Sequence, residues 1–593
     1  MVRYRVEIDY PHTHHFRVTL SVPRPAARQT VSLPVWIPGS YMVREFARHL
    51  SQLSANQGGE PRALTQVDKT TWVVDCHGRS ALTLSYRVYA FDTSVRAAFL
   101  ASRRGFFNGT SLLLRVHGRE NETQRLSLGN LPTGWEVATA MAPVIGGAAA
   151  SEFEAANYDE LVDHPVELGH FWRGEFVAGG VPHALVVAGA YPGFDGARLL
   201  ADTQRICQTV IDFWHGAAPP HSVSAPPMPR YVFLLNAVED GYGGLEHRAS
   251  TALIAARRDL PRLGQDAALT DGQVTLLGLI CHEYFHTWNV KRLKPAEFAA
   301  YDYGRENYTA LLWFFEGFTS YYDDLLLRRA GLIAAPRYLK LLAKAAAAVA
   351  ATPGRQVQSV AQSSFDAWNK YYRVDENTPN ATVSYYQKGA LVALALDLRL
   401  RLSRKNGGGN LDTVMRALWH SSGGGPIAEA DIAAALHAAG GRSFAPELAD
   451  WVHGRAELPL AELLSEFGVA LRDERAGWAA SLGLRLTEGP VSGIQVRSVL
   501  AGSPAAAAGV SAGDELLGIN GWRVRRFDDA LAWVGPPGPG QQPVALLLVR
   551  DQRLLTLSLQ ADASAGLASV PTLALTDKPP KAVGARRHAW IGA

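Results

Sequence analysis

Apolar and polar side chains alternate from the first residues of the chain. Met-Val-Arg-Tyr-Arg-Val-Glu-Ile-Asp-Tyr carries an apolar group at every second position, the period of a strand with one buried face. The segments Arg17-Val-Thr-Leu-Ser-Val22, Thr71-Trp-Val-Val-Asp75 and Leu82-Thr-Leu-Ser-Tyr-Arg-Val88 continue this rhythm between turn residues. Residues 1–170 are therefore expected to form a β-sandwich. From 171 to 260 the pattern mixes. Ala184-Leu-Val-Val-Ala188 and Arg230-Tyr-Val-Phe-Leu-Leu235 read as strands, and 199–214 as a helix. Helical periodicity dominates 270–455, with helices expected over 390–402, 411–419 and 427–438. Near 475 the character changes again, and the segment 503–521, opening Ser503-Pro-Ala-Ala-Ala-Ala-Gly-Val, runs from a short helix into a turn and a strand. The expected division is 1–170, 171–470, 471–562 and a patternless, partly extended tail, 563–593. The fold class is multidomain α+β.

A chain of 593 residues is too long for a single core, which supports several domains. Hydrophobic residues make up 47% and charged residues 19%, as in globular proteins generally. The net charge is +3 and there is no dense Lys/Arg run, so nucleic-acid binding has no electrostatic basis. Neither a signal-peptide core nor an apolar run of membrane-spanning length is seen, so a soluble, cytoplasmic protein with no membrane span is expected. Cys76, Cys207 and Cys281 are odd in number and far apart, and they form no disulfide framework. Cys281 adjoins His282, but on a helix it points about 100° away and reads as a buried thiol.

The candidate chemistry lies at His282-Glu283-Tyr284-Phe285-His286. Thr270-Asp-Gly-Gln273 has the form of a capping box, and Val274, Leu276, Leu277, Leu279 and Ile280 supply a buried surface. The resulting helix, over about 271–289, places His282 and His286 at i and i+4 on one face, within reach of one zinc ion. Glu283 stands where a general base can take a proton from water. A second helix is expected over 307–329, with Arg328 and Arg329 in its last turn and Gly331 beyond. Its apolar run Leu311-Leu-Trp-Phe-Phe315 ends at Glu316, the chosen third ligand. Asp323, seven residues later on the same face, is the candidate to orient a ligand histidine. A His/His/Glu set favours zinc among divalent metals, one ion per chain.

HEYFH with Trp288-Asn-Val-Lys-Arg292, then Trp313-Phe-Phe-Glu-Gly-Phe-Thr319, resembles the glycyl aminopeptidase family of gluzincin zinc metallopeptidases. Trp36-Ile-Pro-Gly-Ser-Tyr-Met-Val-Arg-Glu-Phe-Ala-Arg48, Phe91-Asp-Thr-Ser-Val-Arg96 and Arg104-Gly-Phe-Phe-Asn-Gly-Thr110 resemble its N-terminal signatures. The resemblance implies an N-terminal β-domain, a thermolysin-like catalytic domain rich in helices and a C-terminal PDZ domain. It also implies a preference for Gly and Ala at the substrate N-terminus. Gly243-Gly-Leu-Glu-His247 is similar to the G-x-M-E-N exopeptidase element, which implies that Glu246 binds the α-amine and that Gly243, Gly244 and His247 contact substrate. Leu245 and His247 depart from that pattern, and the role of the fifth position stays open. Tyr386-Gln-Lys-Gly389 resembles the Y-x-K-G element, which implies an oxyanion donor at Tyr386, with the adjacent Tyr385 as the alternative. The segment between His286 and Glu316 is longer than in aminopeptidase N-type enzymes. Its Lys291, Arg292 and Lys294 read as structural more than as substrate contacts. Leu482-Gly-Leu484 resembles a PDZ carboxylate-binding loop, implying a C-terminal peptide as ligand.

The function expected is a zinc aminopeptidase acting on peptides with a free N-terminus. Two rivals remain. An endopeptidase would cut N-acetylated peptides equally well, and a non-catalytic PDZ scaffold would bind peptides without cutting them.

Overall fold

The alternation at the chain start becomes paired strands. In a computed structural model, Val2–Ile8 lies antiparallel to His15–Val22, with Val6 opposite Val18, and parallel to Gln124–Gly129. Phe16, Val18, Leu20 and Val22 all point into one core, as period two requires. The structure describes residues 1–144, 151–216, 225–403, 409–530, 534, 542–560 and 569–592. They fall into two units, Met1–Tyr308 with Leu418–Ile427, and Thr309–Ala417 with Ala428–Ala593.

The first unit begins with a β-rich domain built from an eight-stranded sheet and two four-stranded sheets. A five-stranded mixed sheet follows, in the order Phe171–Ala178, Val181–Ala188, Tyr231–Val238, Ser250–Ala256, Tyr242–Glu246. The three inner strands are parallel and nearly continuously apolar, as strands covered on both faces must be. Tyr242–Glu246 is an antiparallel edge strand. Helices Gly196–His215 and Asp271–Phe285 belong to the same unit.

The second unit contains the helices Leu312–Arg329, Ala335–Ala350 and Gln387–Leu402. The helix Leu312–Arg329 starts later than the expected 307. In the first unit, Asn307 instead spends its amide on Asp302 O and Arg305 O. A small β-domain follows, its main sheet running Leu484–Gly489, Gly493–Val499, Glu515–Ile519, Val544–Arg550, Arg553–Leu559.

The described residues of the C-terminal tail form an extended strand and a helix that the pattern did not announce. Ser569–Leu575 pairs antiparallel with Val469–Arg475, and Lys581–Ile591 is a helix. Trp590 is buried there, its indole N–H donating to Tyr321 Oη at 3.1 Å, and Arg401 donates to Ala589 O. The pairing partner of the tail strand lies about a hundred residues upstream, so no local pattern announces it. The small β-domain is thus looped out between two paired strands. No helix among the described residues is long and apolar enough to cross a membrane. Cys76, Cys207 and Cys281 are all buried.

Candidate active site

The HEYFH helix begins on the capping box read in the sequence. Thr270 Oγ1 accepts from Gln273 N at 3.2 Å, and Gln273 Oε1 accepts from Thr270 N at 3.1 Å. The helix ends at Phe285, earlier than expected, because the Thr287 and Trp288 amides turn back three residues, to Tyr284 O and Phe285 O. Val290 then adopts φ 103°, a left-handed value that a β-branched residue takes only when its surroundings enforce it. Here Val290 N is bound to Leu293 O at 2.7 Å and Lys291 N to His286 O at 3.1 Å.

This tight exit has a chemical consequence. It brings Asn289 O to 2.8 Å from His286 Nδ1, so Nδ1–H donates there and Nε2 presents its lone pair. His286 Nε2 lies 3.1 Å from His282 Nε2. Two imidazole ligands on one tetrahedral zinc would hold their nitrogens roughly 3.3 Å apart. Ligand atoms of His282, His286 and Glu316 all lie within 4.8 Å of one another. No other group of three or more His, Cys, Asp or Glu among the described residues meets that condition. The donor set therefore fits zinc. Asp323, expected to orient a histidine, is half-buried on the helix Leu312–Arg329, where its Oδ1 accepts from Asp324 N at 2.6 Å. The orienting group found for His286 is a backbone carbonyl, which no side-chain pattern could mark.

The edge strand Tyr242–Glu246 brings the exopeptidase element to Glu283. A Cβ added to Gly244 would fall 2.1 Å from Glu283 Oε1 and 2.3 Å from its Cδ, so only a glycine lets the strand lie against that carboxylate. Two residues on, Glu246 is buried, and a Cβ on Gly39 would fall 2.5 Å from both of its carboxylate oxygens. Gly39 has φ 92° and belongs to the Trp36–Arg48 signature of the β-rich domain. Arg96, from the second signature, donates to Gly244 O at 3.5 Å and lies 3.8 Å from the position a Gly243 Cβ would take. Two N-terminal signatures thus meet the exopeptidase strand.

His247, expected to contact substrate, is 1% exposed and turned toward Asp163, its Nδ1 3.2 Å from Asp163 Oδ1. Burial, opposed in part by Asp163, holds the His247 imidazole below its usual value and so neutral. Sequence reasoning did not single out Asp163, which lies in no motif.

In the second unit, Glu316 is 2% exposed. Gly317 immediately after it packs on Gly389: a Cβ on Gly317 would lie 2.5 Å from Gly389 Cα, and one on Gly389 would lie 2.6 Å from Trp313 O. The two glycines let the Glu316 helix and the helix Gln387–Leu402 touch backbone to backbone. This contact sets Tyr386, the N-cap residue of the latter helix, near Glu316. Burial first, and then the Glu316 carboxylate, push the Tyr386 hydroxyl well above its usual range, so it stays protonated. Tyr385 is fully buried, whereas Tyr386 is half-buried. Tyr371, which the sequence reading missed, stacks on Tyr386 at 5.6 Å between ring centroids.

In the small β-domain, Gly483 takes φ 75° and leads into the edge strand Leu484–Gly489. The Leu482 and Gly483 amides donate to Trp478 O at 3.1 Å and to Ala480 O at 3.0 Å. Two of the three expected carboxylate-binding amides are thus already used by the short helix Trp478–Ser481.

Residues 3–170 match the Peptidase M61 N-terminal domain, residues 275–392 match M61 glycyl aminopeptidase, and residues 471–537 match a PDZ domain. The crystal structure of an aminopeptidase N family protein from Idiomarina loihiensis aligns with a TM-score of 0.91 at 36% identity, covering 100% of both chains. An M1 zinc metallopeptidase from Deinococcus radiodurans aligns with a TM-score of 0.47 at 15% identity, over 77% of this chain and 94% of its own. No curated protein matches the sequence.

Proposed function

Because the chain belongs to the M61 glycyl aminopeptidase family it is a peptidase, and we propose that it removes single small residues, Gly and Ala, from free peptide N-termini. The observation that carries this reading is the edge strand Tyr242–Glu246. Residues two apart on a strand share a face and lie about 6.8 Å apart. Gly244 abuts Glu283 and Glu246 is two residues on, so the general base and the amine-binding carboxylate lie at successive positions on one face of the strand, where they can flank the first residue of a substrate.

His282, His286 and Glu316 would hold one zinc ion per chain, which supplies Lewis acidity and makes water a nucleophile near neutral pH. Glu283 takes the proton of the attacking water and returns it to the departing amine. Glu246 pairs with the substrate α-ammonium and fixes the register at one residue. Gly243 and Gly244 let the substrate backbone approach the edge strand. The Tyr386 hydroxyl donates to the oxygen that gains charge at the scissile carbonyl. Its partial exposure favours it over the enclosed Tyr385 as that donor. The Gly39 turn pressed on Glu246 restricts the space beside the anchor, consistent with small N-terminal residues. Asp323 remains the candidate to orient His282. The PDZ domain, through Leu482, Gly483, Leu484 and the edge strand Leu484–Gly489, takes an extended peptide C-terminus once the Trp478–Ser481 turn yields its amides.

The test is a panel of aminoacyl amides, free and N-acetylated, assayed with zinc-loaded protein. Cleavage confined to free-amine substrates and fastest for Gly and Ala agrees with this reading. Equal cleavage of acetylated substrates would make the protein an endopeptidase, and no cleavage at all would make it a scaffold.

A further inference from the structure

We infer that Asp163, a residue of the N-terminal β-rich domain, is a positioning residue that fixes the amine-binding carboxylate of Glu246 relative to the zinc helix. The inference rests on the aminopeptidase reading above.

Asp163 is the C-cap residue of the short helix Tyr158–Val162, far in sequence from both elements it joins. Its Oδ1 lies 2.8 Å from Lys291 Nζ and 3.2 Å from His247 Nδ1, and its Oδ2 accepts from Arg248 N at 3.0 Å. His247 and Arg248 directly follow Glu246. Lys291 belongs to the turn that leaves the zinc helix, and its own amide is bound to His286 O. A single carboxylate therefore holds the end of the Glu246 strand and the exit of the HEYFH helix together. Lys291 is 3% exposed, so its ammonium has no recourse to water.

A second stitch runs in parallel. Arg292 donates to Arg248 O at 3.0 Å, to Thr287 O at 2.8 Å and to Pro227 O at 2.8 Å. Arg248 in turn pairs with Asp159, one turn before Asp163 on the same short helix. Burial works to raise the Asp163 carboxyl, but Lys291, Arg248 and His247 outweigh it and hold it well below the usual carboxylate range. The site is thus permanently charged near neutral pH. In this arrangement the ring N–H of His247, the fifth residue of the exopeptidase element, ties the strand end to Asp163. Lys291 gains a role that its sequence context left undefined.

The test uses two inhibitors on the full-length zinc-loaded protein. Glycine hydroxamate carries an α-amine and acetohydroxamate does not, so the ratio of their inhibition constants reads the amine anchor alone. Asp163→Asn is the first variant. The second, Asp163→Asn with Lys291→Met, removes both buried charges and so avoids an uncompensated ammonium. In both variants the ratio should shrink by about tenfold while acetohydroxamate binding and zinc content stay unchanged. An unchanged ratio in the double variant would overturn the inference. So would equal weakening of both inhibitors, since that reports a disturbed metal site. Glu246→Gln serves as the reference: if it too leaves the ratio unchanged, the amine-anchor reading itself has failed.

Discussion

Gly244 lies so close to Glu283 that a methyl group placed on it would reach within 2.1 Å of the carboxylate oxygen Oε1. Gly244→Ala should therefore displace the proposed general base and lower kcat by about a hundredfold without unfolding the protein. Gly243→Ala is the comparison: at φ 159° it too loses a substrate-approach glycine, but a Cβ there meets nothing closer than 3.7 Å and does not touch Glu283. Steady-state kinetics of the pair separate contact with Glu283 from mere loss of glycine.

Removing the proposed base chemically should cost at least as much as displacing it. Glu283→Gln keeps the shape of the side chain and should lower kcat by about 10²–10⁴-fold, with zinc content unchanged by metal analysis. Full activity in this variant would remove Glu283 from the mechanism.

The Gly317–Gly389 contact holds the Glu316 and Tyr386 helices together. Gly389→Ala introduces a Cβ 2.6 Å from the Trp313 carbonyl oxygen, so the helices must part. A destabilisation of about 1–3 kcal/mol is expected, read as a lower melting temperature. Zinc should also dissociate faster from the variant, measured with a chromogenic chelator.

Buried His183 and half-buried His215 behind the site set an acid limit. Burial lowers His183 to about 4, and its Nε2 meets Tyr284 Oη at 2.8 Å. His215 is likewise lowered to about 4, by burial and then by His420, and its Nε2 accepts from the Trp288 indole. Between pH 6.5 and 4 the unfolded chain binds these protons and the folded chain does not, so stability falls as the pH falls. The contribution is complete above the unfolded value near 6.5 and is lost as the pH approaches 4. For His183 this amounts to on the order of 3 kcal/mol. The melting temperature should drop less steeply over this window in His183→Leu than in wild type.

The C-terminal helix is part of the helical unit. Trp590 is 2% exposed, and its indole packs against Phe467 and Tyr338. Trp590→Ala should destabilise that unit by about 3–5 kcal/mol, and deletion of the last helix should do at least as much. Native-state proteolysis or calorimetry checks this, and an unchanged melting temperature would show that the helix does not contribute.

Elements with a strong local period were legible in the sequence. The strand His15–Val22, the capped helix at Thr270 and the i, i+4 histidines each follow from side chains close together in the chain. What escaped was non-local or carried by the backbone. Asn289 orients His286 through a carbonyl, which leaves no trace in residue type. Asp163 works by three contacts to residues more than eighty positions away. The tail strand pairs with a segment about a hundred residues upstream, so its apolar positions looked unorganised. The glycines at 39, 244, 317 and 389 stood inside quoted motifs. Their reason, close approach of a carboxylate or a helix, needed the fold.

If Glu246 is what turns the zinc site into an exopeptidase, its charge must be felt by the substrate amine and by nothing else. Glu246→Gln and wild type, compared on alanine p-nitroanilide and on its N-acetyl derivative, read this relationship without intermediaries. The variant should show a rise of about 10–100-fold in KM for the free-amine substrate with zinc retained, and wild type should leave the acetylated one uncut. Unchanged KM in the variant, or equal cleavage of both substrates by wild type, would contradict the amine-anchor role of Glu246.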